Sequence, residues 1–149
     1  MQEQIEKDLK EALLAGDKAK VETLRGLKAA ILNEAVAQNA RDTGLADGQI
    51  QKILAKESKK RQEAADLYQQ GGSAERASLE LAEKAIIDNY LPEQMDEAEI
   101  AKLADEAIAA TGAAGMQDMG KVIGAVKAKT GGAADGSVIA RIVKEKLGQ

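Results

Sequence analysis

Met119-Gly120-Lys121-Val122-Ile123-Gly124-Ala125-Val126-Lys127-Ala128-Lys129-Thr130-Gly131-Gly132-Ala133-Ala134-Asp135-Gly136 runs on into Ser137-Val-Ile-Ala-Arg141-Ile-Val-Lys144-Glu-Lys-Leu147. It reads as a helix, a glycine-marked turn and a second helix. Gly131-Gly132 can end the first helix, because glycine enters the left-handed region without steric cost. Asp135 is a good N-cap for the second. Gly120 and Gly124 need a cause, since glycine inside a helix costs about 1 kcal/mol relative to alanine. Four residues apart, they share one face with Ala128. Close approach of a neighbouring helix backbone is the reading that small residues at helix crossings favour. Close approach of a ligand is the alternative.

Working outward, the rest of the chain is built for helices. Of 149 residues, 44% are apolar, yet only Tyr68 and Tyr90 are aromatic and only Pro92 interrupts. The core must come from Ala, Leu, Ile and Val, which gives an all-α expectation. Helices are expected over about 2–15, from Asp17 onward with Val21, Leu24, Leu27, Ile31 and Leu32 on one side, over about 48–70 after a cap at Asp47, and from Ser73 with Leu79, Ala82, Ile86 and Tyr90 inward. Pro92 disfavours helix at the residue before it. The expected architecture is therefore an N-terminal bundle of about four helices over 1–91, then a small three-helix lobe over 96–149. Asp96 and Glu99 are spaced as a capping box for the first helix of that lobe, and Gly112 is placed to end it.

Composition also removes whole classes of chemistry. The chain contains no cysteine and no histidine, so thiolate chemistry, histidine-based triads and the usual zinc sites lose an essential member. No catalytic residue, metal site or cofactor is expected. The carboxylates Glu93, Asp96, Glu97 and Glu99 read more simply as acids at a helix N-terminus than as ligands of a hard cation. No apolar run approaches the roughly 18 residues of a membrane span, and the start lacks the order of a secretory signal. A cytoplasmic protein with no membrane partner is expected.

Charge is unevenly spread. The formal net charge is −4, but residues 116–149 hold six basic residues against three acidic ones, and the remainder 15 against 22. Lys121, Lys127, Lys129, Arg141 and Lys144 flank the turn and are the candidate phosphate contacts. Such contacts give salt-dependent affinity without base readout. With no aromatic residue in the lobe, base stacking is not available to it. A second basic group, Lys56, Lys59, Lys60 and Arg61, falls where the third helix loses its apolar face. That stretch reads either as a solvated part of a long helix, which is the simpler account, or as a ridge for an anionic partner.

These residues resemble a known family. Met119-Gly120-Lys121-Val-Ile-Gly124-Ala and Gly132-Ala-Ala134-Asp135-Gly136 are similar to the tail motif of the GatB/YqeY domain family. Tyr90-Leu-Pro92-Glu-Gln94-Met is similar to its inter-lobe motif, and Arg25-x-Leu27-Lys28-Ala with Asn33-Glu34 fits its start. The match spans essentially the whole chain and resembles the stand-alone YqeY-like proteins. What it implies is a helical bundle followed by a three-helix lobe of the kind that helps hold tRNA in aspartyl/glutamyl-tRNA amidotransferase. No counterpart of that enzyme's catalytic domains is present, so the family label of carbon–nitrogen ligase with glutamine as amide donor is not expected as an autonomous activity. Ala133 departs from the family pattern, taking a place where relatives often carry Lys or Arg. The expected partners are tRNA and a tRNA-dependent amidotransferase; a protein–protein adaptor with no RNA role is the alternative.

Overall fold

The computed structural model describes residues Met1–Gly148. Every regular element among them is helical: α1 (Gln2–Ala15), α2 (Lys18–Ala37), α3 (Asp47–Gln70), α4 (Ala74–Asp88), α5 (Glu97–Thr111), α6 (Met119–Thr130) and α7 (Gly136–Leu147), with one 3₁₀ turn at Met116–Asp118 leading into α6. The all-α expectation is met. The chain forms two compact units, Met1–Leu91 and the segment from Pro92 onward. No helix of the described residues is long and apolar enough to cross a membrane.

In the first unit α2 touches each of α1, α3 and α4. Ile5, Leu24, Leu27, Ile31, Ile50, Leu54 and Ile87 make a core of Leu and Ile. Gly16 ends α1 at φ 70, a left-handed cap, and the Asp17 carboxylate accepts the Lys20 N–H at 3.1 Å to start α2. Two expected caps are not made. Asp47 is already the first residue of α3, and Gln49 reaches back instead, its Oε1 accepting the Ala46 N–H at 2.9 Å; the Asp47 carboxylate takes the Met1 amino group at 3.2 Å. Ser73 precedes α4 but its hydroxyl caps nothing.

The inward face of α4 also differs from the expectation. Ala77 and Ile87 are buried, whereas Leu79 and Ala82 are exposed and Ile86 and Tyr90 half-buried. The reason lies on α3, the helix with which α4 packs most extensively. Where α3 loses its apolar face it is not solvated: Ser58 is buried and donates to Asp88 Oδ1 at 2.5 Å. Lys84 donates to the other Asp88 oxygen at 2.5 Å. Arg61 Nε lies 2.8 Å from Glu83 and 3.9 Å from Glu80. That is a charge contact, not an aligned hydrogen bond, and it leaves Arg61 Nε and one Glu80 oxygen without a hydrogen-bond partner. A polar helix face thus selects a polar partner face, which turns α4 away from its leucines.

In the second unit α5, α6 and α7 each pack on the other two. Ile100, Ala104, Ala107, Val122, Val126, Ile139, Ile142 and Val143 form its core. The capping box at α5 is complete, with Asp96 Oδ1 accepting the Glu99 N–H at 2.8 Å and Glu99 Oε2 accepting the Asp96 N–H at 3.1 Å. Gly112 ends α5 at φ 67. Gly131 and Gly132 follow α6 at φ 55 and 93, and the five-residue connection makes α6 and α7 antiparallel neighbours. The Ala133 carbonyl in that connection accepts the Met95 N–H at 2.8 Å, which fastens the chain entering α5.

Candidate nucleic-acid interface

The basic residues of the second unit fall into two groups once their neighbours are known. Arg141 donates to Glu97 on α5 and reaches Glu145 on its own helix at 3.3 Å. Lys129 donates to Glu106 at 3.2 Å, and Lys146 to Asp105 at 2.8 Å. The acids of α5 are therefore internal counter-ions, and half of the six basic residues near the turn are spent within the lobe. Lys129 and Arg141, both expected to meet phosphate, are two of them. Lys121, Lys127 and Lys144 are exposed and have no ion pair or side-chain hydrogen bond among the described residues.

Gly120 and Gly124 are both exposed, and a Cβ built on either would meet nothing within 4 Å. No neighbouring helix backbone among the described residues approaches them, so the helix-crossing explanation favoured by their spacing is overturned. With exposed Ala128 they make a line of nearly bare helix along α6. At about 100° per residue, Lys121 borders that line on one side and Lys127 on the other. A Cβ on Gly136 would sit 3.3 Å from the Lys127 ammonium and its neighbouring carbon. Glycine there leaves room for the lysine to lie across the start of α7, where the helix dipole is positive. Asp135 caps that end, its carboxylate accepting the Ser137 N–H at 2.7 Å. The antiparallel connection sets Lys144 level with the N-terminal half of α6.

Gly131 and Gly132 hold positive φ, Asp135 occupies a first-turn donor, and Ala133 is buried. The family model for YqeY-like protein matches residues 2–147. The chain belongs to the YqeY-like family. Comparison with curated proteins returns no match. Ala133 of this YqeY-like chain is buried and places no charge at the turn.

The basic group on α3 does not survive as a ridge of four. Arg61 faces α4, Lys60 pairs with Glu57 at 2.7 Å, and Lys59 is engaged as well. Lys56 remains exposed. Nor do the acids near α5 assemble a metal site: Asp96 and Glu99 cap each other and Glu97 meets Arg141. No group of three or more candidate ligands is found among the described residues.

Sequence reasoning also missed a polar contact that ties α1 to the residues just after α4. Tyr90 donates its hydroxyl to Asp8 on α1, and Gln4 donates to the same carboxylate at 2.8 Å. The tyrosine bond holds the Asp8 carboxyl below its usual value, against the opposing effect of burial. Burial first, and then the carboxylate, push the Tyr90 hydroxyl well above its ordinary 10. The contact fastens the end of the first unit, one residue before Leu91, to α1. Its sequence signal was a lone aromatic with a polar tip beside Pro92.

Proposed function

We propose that this YqeY-like chain binds tRNA without catalysing a reaction of its own, as an accessory to glutamine-dependent tRNA amidotransfer, with the α6–α7 face as the contact surface. The observation that carries this reading is a set of lysines left without internal counter-ions, Lys121 and Lys127 bordering the bare line of Gly120 and Gly124 on α6 and Lys144 exposed on α7. Cations with an internal partner must give it up to meet a phosphate; these three need not. The bare helix lets a sugar–phosphate strand approach the α6 backbone while lysines on either side reach its oxygens. Such a surface reads backbone and shape and leaves base identity unread.

The test is binding of bulk tRNA at several salt concentrations. Three phosphate contacts give a log–log slope of about −2 to −2.7, which is a roughly 15- to 40-fold loss between 50 and 200 mM salt. Lys127→Glu should weaken binding strongly. Lys102→Glu, an equal charge change at an exposed position of α5, should weaken it little. Equal effects of the two substitutions, or no salt dependence, would refute the assignment of this face.

A further inference from the structure

Gly136 stands apart from the other glycines of the chain. Its φ is not positive, so the backbone does not require glycine there. It is the first residue of α7, whereas glycine is enriched just after helix ends. Yet among the described residues it is the one glycine whose added Cβ would meet another residue's side chain, 3.3 Å from both Cε and Nζ of Lys127. At every other glycine such an atom meets open space or a backbone carbonyl.

The backbone fixes where the two residues meet. The Lys127 carbonyl accepts the Gly131 N–H and the Thr130 hydroxyl, both at 3.2 Å. The Thr130 carbonyl accepts the Ala133 N–H at 2.9 Å. Val126 and Thr130 before the connection and Ile139 after it are buried, so the end of α6 and the start of α7 are held in one register. Within this frame Lys129, two residues and about 200° further round α6, leaves on another side and ends on Glu106 at 3.2 Å. Lys127 turns toward α7 and crosses it where Gly136 presents no side chain. No carboxylate among the described residues takes its ammonium. What seats this lysine is a gap in a helix, not a counter-ion.

Resting on the α6–α7 face as the tRNA surface, we propose that Gly136 is a positioning residue for Lys127. The space left by its missing side chain lets the lysine stem lie over the start of α7, with the ammonium uncommitted for a phosphate. A long side chain immobilised on binding loses rotamer freedom, which weakens affinity by roughly two- to tenfold. A stem already seated against Gly136 has lost part of that freedom beforehand. Alanine would set a methyl against the last carbon and the ammonium, the mobile end of the side chain, and return it to solvent. Gly136 thus acts through Lys127 and touches no phosphate itself.

Two measurements on the full chain test this. In the free protein, nuclear Overhauser contacts should join the Lys127 ε-methylene to the Gly136 α protons, a readout that needs no RNA. Binding of bulk tRNA is then compared at one low salt concentration for the parent, Gly136→Ala, Lys127→Ala and the double variant. Gly136→Ala should raise Kd roughly two- to tenfold without lowering the thermal melt, since alanine suits a helix better than glycine. On the Lys127→Ala background the same substitution should leave Kd unchanged, which a glycine with a merely structural role would not give. Absence of the Overhauser contacts overturns the proposal, and so does an equal loss of affinity on both backgrounds. A Kd raised by Lys127→Ala but unmoved by Gly136→Ala overturns it while leaving the tRNA face in place. A Kd unmoved by Lys127→Ala removes that lysine from the tRNA face, and the proposal with it.

Discussion

Replacing Gly124 by alanine should make the protein more stable and a poorer RNA binder. The sign of the first effect follows from the space around α6. An ideal Cβ at Gly124 has nothing within 4 Å, and its φ is not positive, so the substitution carries neither clash nor backbone strain. The position lies inside a 12-residue helix, where alanine is favoured over glycine by about 0.8–1 kcal/mol. The methyl is exposed, so burial adds almost nothing. In a unit of this size that gain raises the melting temperature by roughly 4–8 °C. Gly120 is only the second residue of α6, and its gain should be smaller. Circular dichroism during thermal and urea unfolding reads the stability, resolving the two units if they melt apart. Binding of bulk tRNA to the same variant reads the surface, and there the added methyl on the bare line should raise Kd. A loss of stability would mean that a neighbour fills the space beside α6. A gain in stability with unchanged tRNA affinity would remove the glycine line from the interface.

Gly131→Ala should act in the opposite direction, lowering stability by about 1–2 kcal/mol, because φ 55 forces a side chain into the left-handed region; chemical denaturation checks it. Arg61→Ala should cost about 1 kcal/mol by stranding Glu80 and Glu83 along α4, more than Lys60→Ala, whose Glu57 pair is more exposed at the lysine. Tyr90→Phe should cost roughly 1.5 kcal/mol near neutral pH, the worth of a hydrogen bond to a charged acceptor. Its pH profile is specific. Asp8 has a lowered folded pKa, so the contribution is fully present above 3.8 and is lost as pH falls through the lowered value. Tyr90 has a raised one, so the contribution is fully present below 10 and falls away as pH rises toward the raised value. Urea melts from roughly pH 3 to 11 should therefore show the parent and the phenylalanine variant converging at both ends; a constant difference would detach the effect from this pair.

The parts of the fold that could be read from the sequence were those set by local rules. Gly16, Gly112, Gly131, Asp17, Asp96 and Asp135 end or begin helices where spacing placed them, because caps are made within a few residues of chain. The facing of α4 was not local. Its leucines form a plausible apolar line, and only the partner face of α3, with Ser58 and Arg61, decides that Glu80, Glu83 and Asp88 turn inward. The candidate interface divided in the same way. That cations cluster near the turn is a property of composition; which of them are free depends on Glu97, Asp105 and Glu106, some 23 to 44 residues away in the chain. Gly120 and Gly124 were noticed for their helix cost, but a sequence cannot say whether a glycine faces a neighbour or open water.

The polar contact between α3 and α4 also fixes an address. Apolar faces attract without regard to register, so two leucine-lined helices can slide by a turn, or exchange partners with another copy, at little cost. Ser58 with Asp88 and Arg61 with Glu83 match at one alignment only, and a one-turn slip sets Arg61 away from its carboxylates and Asp88 away from its hydroxyl. Leucines at Ser58, Arg61, Glu80 and Glu83 would keep the attraction and erase the address. Such a hairpin should open and re-pair between molecules, so that gel filtration finds dimers where the parent hairpin closes on itself.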